Sequence, residues 1–241
     1  MNVFRRKELK FLIDSQQRAC LEQVFAEKML PDRFFHSSIR NIYYDTPDYR
    51  LIRRSLEKPV YKEKLRLRSY GQSDVVFLEM KKKYKGIVYK RRISLTESQA
   101  EAFMEGAGSL PDSQIAREMV YFRDFYRNLA PKVYLSYERD SWLGKEDPGL
   151  RITMDREITM DREIRYRRED LKLSLAPDGE AILPPELSLL EVKAENAIPL
   201  WLTQLLAQQR IHQVSFSKYG RAYERGLREQ IQESRGLGYA R

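Results

Sequence analysis

"KLRLRSYG", residues 64–71, alternates cation with leucine. Successive side chains of a strand point to opposite faces. Lys64, Arg66 and Arg68 therefore share one face, and Leu65 and Leu67 the other. One face suits a covering of helices. The other carries a row of positive charge. The pattern recurs along the chain. In "RKELKF" (6–11), Glu8 and Lys10 share a face. In "VVFLEMKKK" (75–83), Glu79 and Lys81 oppose Leu78 and Met80. In "IVYKRRISL" (87–95), Lys90 and Arg92 oppose Tyr89, Ile93 and Leu95. In "VYLSYERDSW" (133–142), Tyr137 and Arg139 share a face. In "LRITMD" (150–155), Arg151, Thr153 and Asp155 oppose Leu150, Ile152 and Met154. In "LLEVKA" (189–194), Glu191 and Lys193 oppose Leu190 and Val192.

For a single strand, a solvated outer face explains such charges. Across so many strands the composition argues otherwise. Solvated faces mix Thr, Ser, Gln and Lys, whereas these carry mainly Arg, Lys and Glu, and arginine suits forked phosphate contacts. Amphipathic helices elsewhere in the chain need an apolar surface to cover. If they cover the Leu/Ile/Met face, the charged face points inward. A charged interior is costly unless its charges are paired or hold a counter-ion. Cations outnumber carboxylates on these faces. The expectation is an interior that takes a polyanion, a triphosphate or a longer phosphate chain. Glu8, Glu79 and Glu191 are the candidate ligands for Mg²⁺ or Mn²⁺, hard cations that take oxygen donors.

The totals agree. The chain has 241 residues, 42% hydrophobic and 33% charged, with net charge +9. A basic balance favours polyanionic partners. Cys20 is the sole cysteine, so no intrachain disulfide forms, which suits a reducing compartment. The start, "MNVFRRKELKFLID", has no apolar signal region, and no apolar run approaches membrane-spanning length. A soluble, cytoplasmic protein is expected.

Local signals set the order of elements. A first strand over 5–13 precedes a helix capped by Asp14 or Ser15 and stopped by Pro31. "IRNIYYD" (39–45) reads as a strand. "TPDYRLIRRSLEK" (46–58) reads as a short helix with Thr46 as cap and Pro47 in first position. Strands over about 61–70, 74–83 and 87–95, with Gly71 and Gly86 at the turns, imply a meander. Helices follow near 97–106, capped by Thr96, and over 113–129. Further strands are expected near 132–142, 149–156, 163–175 and 187–194. A helix with Pro199 in its first turn and a last helix from about 218 complete the chain. Nothing divides it into two domains. Residues 1–226 form one domain and 227–241 a polar tail. The expected fold is α+β, an antiparallel β-barrel with helices packed outside, since closure would leave no free edges. "ITMDRE" occurs twice in tandem, at 152–157 and 158–163. Six residues preserve strand alternation.

Together, "RKELKF", "IYYDTPDY", "KLRLRSYG", "VFLEMKKKYKG" with "YKRRI", "LSYERDSW", "LRITMD", "LLEVKA" and "FSKYGRA" resemble the VTC (vacuolar transporter chaperone) domain. That family is the polyphosphate polymerase branch of the triphosphate tunnel metalloenzymes. The resemblance runs over roughly residues 2 to 226 and is to the stand-alone bacterial type. It implies a tunnel barrel that transfers the γ-phosphate of ATP onto inorganic polyphosphate with Mn²⁺ or Mg²⁺. By position it implies catalytic roles for Lys10, Arg66, Arg68, Arg139 and Arg151. It implies phosphate binding by Lys81, Lys90, Arg92, Tyr137, Lys193, Ser217 and Lys218. Glu191 is the leading metal ligand, followed by Glu8 and Glu79. Only the first "ITMDRE" copy follows an arginine, so Arg151 and Asp155 are assigned to the tunnel. The partners implied are ATP and polyphosphate, without nucleic acid or membrane.

Rival readings remain. One is a triphosphatase on the same scaffold, with water as nucleophile. Another is a non-catalytic module for polyphosphate, RNA or single-stranded DNA, for which 15 tyrosines and excess cations would serve. Carboxylates interleaved among the cations argue against a nucleic-acid backbone. No GxxxxGK[ST] loop and no HExxH occurs. His36 and His212 lie away from the charged strands and read as structural, as do Trp142 and Trp201.

Overall fold

The computed structural model describes residues 7–71, 73–156, 164–195 and 197–237. The second "ITMDRE" copy, residues 158–163, lies outside them. β1 (Lys7–Ile13) leads into α1 (Ser15–Lys28). Asp14 accepts the Gln17 N–H at 2.8 Å and Gln17 takes the Asp14 N–H at 3.0 Å, a reciprocal cap that fixes the helix start. The helix ends at Lys28, before Pro31. Residues 29–38, read from sequence as lying outside any strand, form the first part of a 17-residue strand, β2 (Met29–Asp45). Its partner is β6 (Ala130–Gly144), and the register shifts between Pro31 and His36. "DRFF" (32–35) bulges out of the ladder there, which breaks the alternation that would mark a strand.

α2 (Arg50–Leu56) starts later than the Thr46–Pro47 signal suggests. Thr46 accepts the Tyr49 N–H at 2.9 Å in a turn, and Tyr49 adopts a left-handed φ of 58°. Thr46 still caps, its Oγ1 accepting the Arg50 N–H at 2.9 Å, and Asp45 shares the role. Asp45 is fully buried and accepts the N–H groups of Leu51 at 2.8 Å and Ile52 at 3.0 Å. β3 (Tyr61–Tyr70), β4 (Val75–Tyr84) and β5 (Ile87–Thr96) form the expected meander. Gly71 (φ 59°) follows β3, and Gly86 (φ 83°) sits in the β4–β5 turn; both adopt backbone that favours glycine. α3 (Glu97–Met104) is capped by Thr96 as read, and α4 (Gln114–Tyr126) by Ser113. β7 (Arg151–Arg156), β8 (Arg165–Arg167), β9 (Glu180–Ala181) and β10 (Ser188–Ala194) follow, then α5 (Leu200–Gln208) and α6 (Lys218–Leu237). The strand read over 163–175 shrinks to three-residue β8. Past it, Arg167 gathers the carbonyls of Asp170, Lys172 and Ala176, which holds that stretch as a loop.

The sheet is antiparallel, in the order β1-β10-β7-β6-β2-β3-β4-β5, with β8 and β9 branching from β6. Among the described residues it does not close by backbone hydrogen bonds, so the expected barrel is an open, curled sheet that approximates one. A side-chain pair still joins its first strand to its penultimate one. Lys81 on β4 reaches Glu8 on β1 at 3.5 Å. The outer edge of β1 is covered by the chain before α6, where Val214 N–H donates to the Lys10 carbonyl at 2.8 Å. This blunts an otherwise free strand edge.

Apolar alternation decides what lies outside. Phe11, Ile13, Ile152, Leu190 and Val192 pack under α1 and α5 with Leu21, Phe25 and Leu202. Leu65, Leu67, Leu78 and Met80 pack under α3 and α4 with Phe103, Met119 and Phe122. Each such leucine contributes about 1.5–3 kcal/mol by leaving water. Trp142 and Trp201 both edge onto Phe25 in the first cluster. A third cluster shares the inner face with the cations. There Tyr219 and Ala222 of α6 meet Tyr43, Leu135 and Leu189. The start of α6 thus enters the interior and fills part of it. Among the described residues no helix is long and apolar enough to cross a membrane.

Candidate functional site

Strand register assembles the interior. Arg66 pairs opposite Glu79, Glu79 opposite Arg92, and Lys81 opposite Lys64 and Lys90. Across the sheet, Arg139 pairs opposite Asp155, Glu191 opposite both Thr153 and Lys10, and Lys193 opposite Arg151 and Glu8. Paired residues share a face. Lys64, Arg66 and Arg68 accordingly point to the cation-lined inner face of the curled sheet.

Three carboxylate hubs hold it together. Glu79 is 1% exposed. Arg66 Nε and Nη2 donate to its Oε2 at 2.8 and 2.7 Å, Arg92 Nε to Oε1 at 3.0 Å, and Lys90 lies 2.5 Å from Oε1. Burial pushes the Glu79 carboxyl up, but Arg66, Arg68 and Lys90 together hold it well below the usual carboxylate range. Asp155, fully buried, takes a fork from Arg139, Nε to Oδ1 at 2.5 Å and Nη2 to Oδ2 at 2.7 Å. Lys218, the first residue of α6, also donates to Asp155 Oδ2. Burial raises this carboxyl too, and Arg139 and Lys218 lower it below its ordinary value. Glu191 meets Lys10 and Lys193, each at 3.3 Å, and Lys218 at 3.7 Å. Lys193 and Lys10 keep it well below the carboxylate range despite burial.

The remaining residues fall around these hubs. Arg68 Nε donates to Asn41 Oδ1 at 2.8 Å, and its Nη2 to the Tyr137 hydroxyl at 3.2 Å. Lys64 Nζ donates to Ser217 Oγ at 3.0 Å, and Ser217 caps α6 by accepting the Gly220 N–H. Lys10 also donates to the Phe216 carbonyl. Arg151 is drawn aside. It pairs at 2.5 Å with Asp32 from the β2 bulge. His36 spans Asp140 and Glu138 on the outer face, as a structural reading expects.

Sequence reasoning missed Tyr43 and Asn41, although alternation in "RNIYYD" puts both on the inner face. Tyr43 accepts from Arg66 Nη1 at 3.2 Å and stacks on Tyr219 with centroids 4.6 Å apart. Burial pushes its phenol up, but Arg66, Lys64 and Arg68 bring it down to about 7. Burial pulls Lys64 down to about 8 and Lys90 to about 8, the latter despite the opposing pull of Glu79.

These shifts make a signed prediction. An anion entering the interior raises the pKa of all three groups, so binding takes up protons. Protons become scarcer as pH rises from 7 to 9, so affinity for sulfate, an anion that does not itself titrate there, is expected to fall across that window. Calorimetry in buffers of different ionisation enthalpy measures the uptake directly. Proton release on binding would contradict the sign.

The expected metal ligands are split. Lys10 touches both Glu8, at 3.6 Å, and Glu191, at 3.3 Å, so these two carboxylates are neighbours. Glu79 stands apart, enclosed by Arg66, Arg92 and Lys90. Among the described residues no three metal-ligating side chains converge. One or two carboxylates suffice for Mg²⁺ when phosphate oxygens and water supply the rest. Glu191 with Glu8 fits that donor set.

The VTC domain family model matches residues 5–225. A Bacillus halodurans protein described as a "putative adenylate cyclase" is 16% identical in solved structure, with TM-score 0.54, covering 88% of this chain and 95% of that one. A Pyrococcus horikoshii protein is 12% identical, with TM-score 0.50 and coverage of 93% and 99%. At such identity the likeness speaks for the fold, and with the family match it supports a triphosphate-tunnel fold. A comparison with curated proteins gave no match.

Proposed function

The chain belongs to the VTC domain family, and on that premise we propose that it is a polyphosphate polymerase, transferring the γ-phosphate of ATP to a growing inorganic polyphosphate chain. One observation carries this reading. Cations from β1, β3, β4, β5, β6, β10 and α6 converge on one interior, and every carboxylate hub there already serves more than one cation. The surplus suits a ligand with several negative charges.

Phosphoryl transfer demands positioning and charge stabilisation rather than covalent chemistry from the protein. Arg66, Arg68, Lys90 and Arg92 hold the triphosphate from one wall. Arg139, Lys10, Lys193 and Lys218 hold it from the other, with Tyr137 as a phenolic donor and Ser217 beside Lys64. Lys81 bridges β4 to Glu8 on β1, and Arg151 is held by Asp32. A terminal phosphate oxygen of the acceptor attacks the γ-phosphorus, the bond to the β-phosphate oxygen breaks, and ADP leaves. That oxygen is anionic at neutral pH, so no strong base is needed. Glu191 and Glu8 would hold Mg²⁺ or Mn²⁺, which when bound neutralises phosphate oxygens as charge shifts. A single cysteine and ATP as donor fit the cytoplasm.

The α6 start inside the tunnel favours a second reading, triphosphate hydrolysis, because a filled end restricts entry of an acceptor chain. A product assay separates them. With ATP and Mn²⁺ or Mg²⁺, a polyphosphate ladder with ADP is expected on a gel, absent in Glu191→Ala. Free phosphate without a ladder means a triphosphatase. Neither product, with primer supplied, means a polyanion-binding protein.

A further inference from the structure

The inner face of the meander ends in aromatics. Phe77 pairs opposite Arg68 and Tyr70 lies two residues beyond it, so both follow the Arg66–Glu79 row by one or two same-face steps. Each step advances about 7 Å along the strand. Arg92 lies over the Phe77 ring, its Cζ 3.9 Å from the centroid. Glu79 takes Arg92 Nε at 3.0 Å and the Tyr70 hydroxyl takes Nη2 at 3.1 Å, which fixes the guanidinium plane. Arg68 Nη1 donates to the same hydroxyl at 3.3 Å, and the Tyr70 and Phe77 rings meet edge to face at 5.8 Å. The Arg92 side chain is 39% exposed, so its outer surface is open. Among the described residues Phe77 belongs to none of the three apolar clusters, whereas Tyr70 packs partly against the third.

We infer that Phe77, Arg92 and Tyr70 form a stacking platform for the base of a nucleoside triphosphate whose phosphates lie deeper, along Arg66 and Glu79. A planar base stacks on a phenyl ring or a guanidinium, and does so with little regard to base identity. The tunnel therefore distinguishes a nucleoside triphosphate from inorganic triphosphate, but purines only weakly from one another. The inference rests on the phosphate cradle proposed above.

The test compares two ligands. Calorimetry in EDTA measures Kd for ATP and for inorganic triphosphate, in the parent protein and in Phe77→Leu, which keeps an apolar side chain but removes the ring. The expected result is ATP affinity weakened about tenfold and inorganic triphosphate affinity within about twofold of the parent. A 2-aminopurine riboside triphosphate should also be quenched by the parent and not by Phe77→Leu. Unchanged ATP affinity, or equal weakening of both ligands, overturns the platform while leaving the cradle standing. A parent protein that binds neither ligand overturns the cradle, and the platform with it.

Discussion

Glu79→Gln is expected to lower the stability of the free protein by about 3 kcal/mol, and inorganic triphosphate to restore most of it. Glu79 is the common acceptor for Arg66, Arg92 and Lys90. Removing its charge leaves Arg66 and Arg68, 19% and 6% exposed at the side chain, without an ionised partner at this hub. Breaking a buried pair costs about 3–5 kcal/mol. Lys90 and Arg92 are 44% and 39% exposed and stay hydrated, which puts the loss at the lower end. The Glu79 carboxyl titrates lower in the folded state than its ordinary 4.5. Its contribution is therefore fully present above that value and lost as pH falls through the folded one, so pH 7 reads all of it. Urea denaturation with and without triphosphate measures both halves. A variant as stable as its parent would show that the cations do not depend on this carboxylate. A variant that triphosphate fails to rescue would show that the ligand does not take its place.

Arg66→Ala is expected to reduce turnover about 100- to 1000-fold, the scale of losing a preorganised donor that faces developing charge. Strand alternation supplies a paired control. Arg91 and Arg92 are chain neighbours on β5, yet they point opposite ways. Arg91 Nε meets Glu118 on α4 at 3.1 Å, outside the tunnel, whereas Arg92 meets Glu79 within it. Arg92→Ala should cost activity about tenfold or more, and Arg91→Ala should leave it within about twofold. Steady-state kinetics on all three variants checks this. Equal losses at Arg91 and Arg92 would contradict the assignment of faces.

Much of this was legible because β-structure writes its faces into a period of two. "KLRLRSYG" read alternately places Arg66 and Arg68 on the inner face without any knowledge of fold, and Leu65 and Leu67 under helices. The capping of α1 by Asp14 and α3 by Thr96 was equally local. What escaped depends on contacts between distant segments. The first part of β2 is a strand because β6 pairs with it, and its "DRFF" bulge erases the alternation. Asp45 joins Thr46 in capping α2 because a turn at Thr46 delays the helix, and Tyr219, far along the chain, donates to the Asp45 carboxylate at 2.8 Å. The split of the carboxylates follows from register. Glu8 and Glu191 lie on adjacent strands, while Glu79 lies across the interior among arginines. Lys218 was legible as a cation near the site, but its donation to Asp155 rests on α6 entering the interior. The tunnel pKa shifts have the same origin, since Tyr43 is lowered by three cations from a neighbouring strand.

The central claim is that the inward cations form one cradle for a phosphate chain. A crystal structure with inorganic triphosphate bound tests it most directly. Phosphate oxygens are expected inside the curled sheet, contacting Arg66 on one wall and Arg139 and Lys218 on the other. Triphosphate found only on the outer surface, with the Glu79 and Asp155 ion pairs undisturbed and the interior empty of anion, would contradict it.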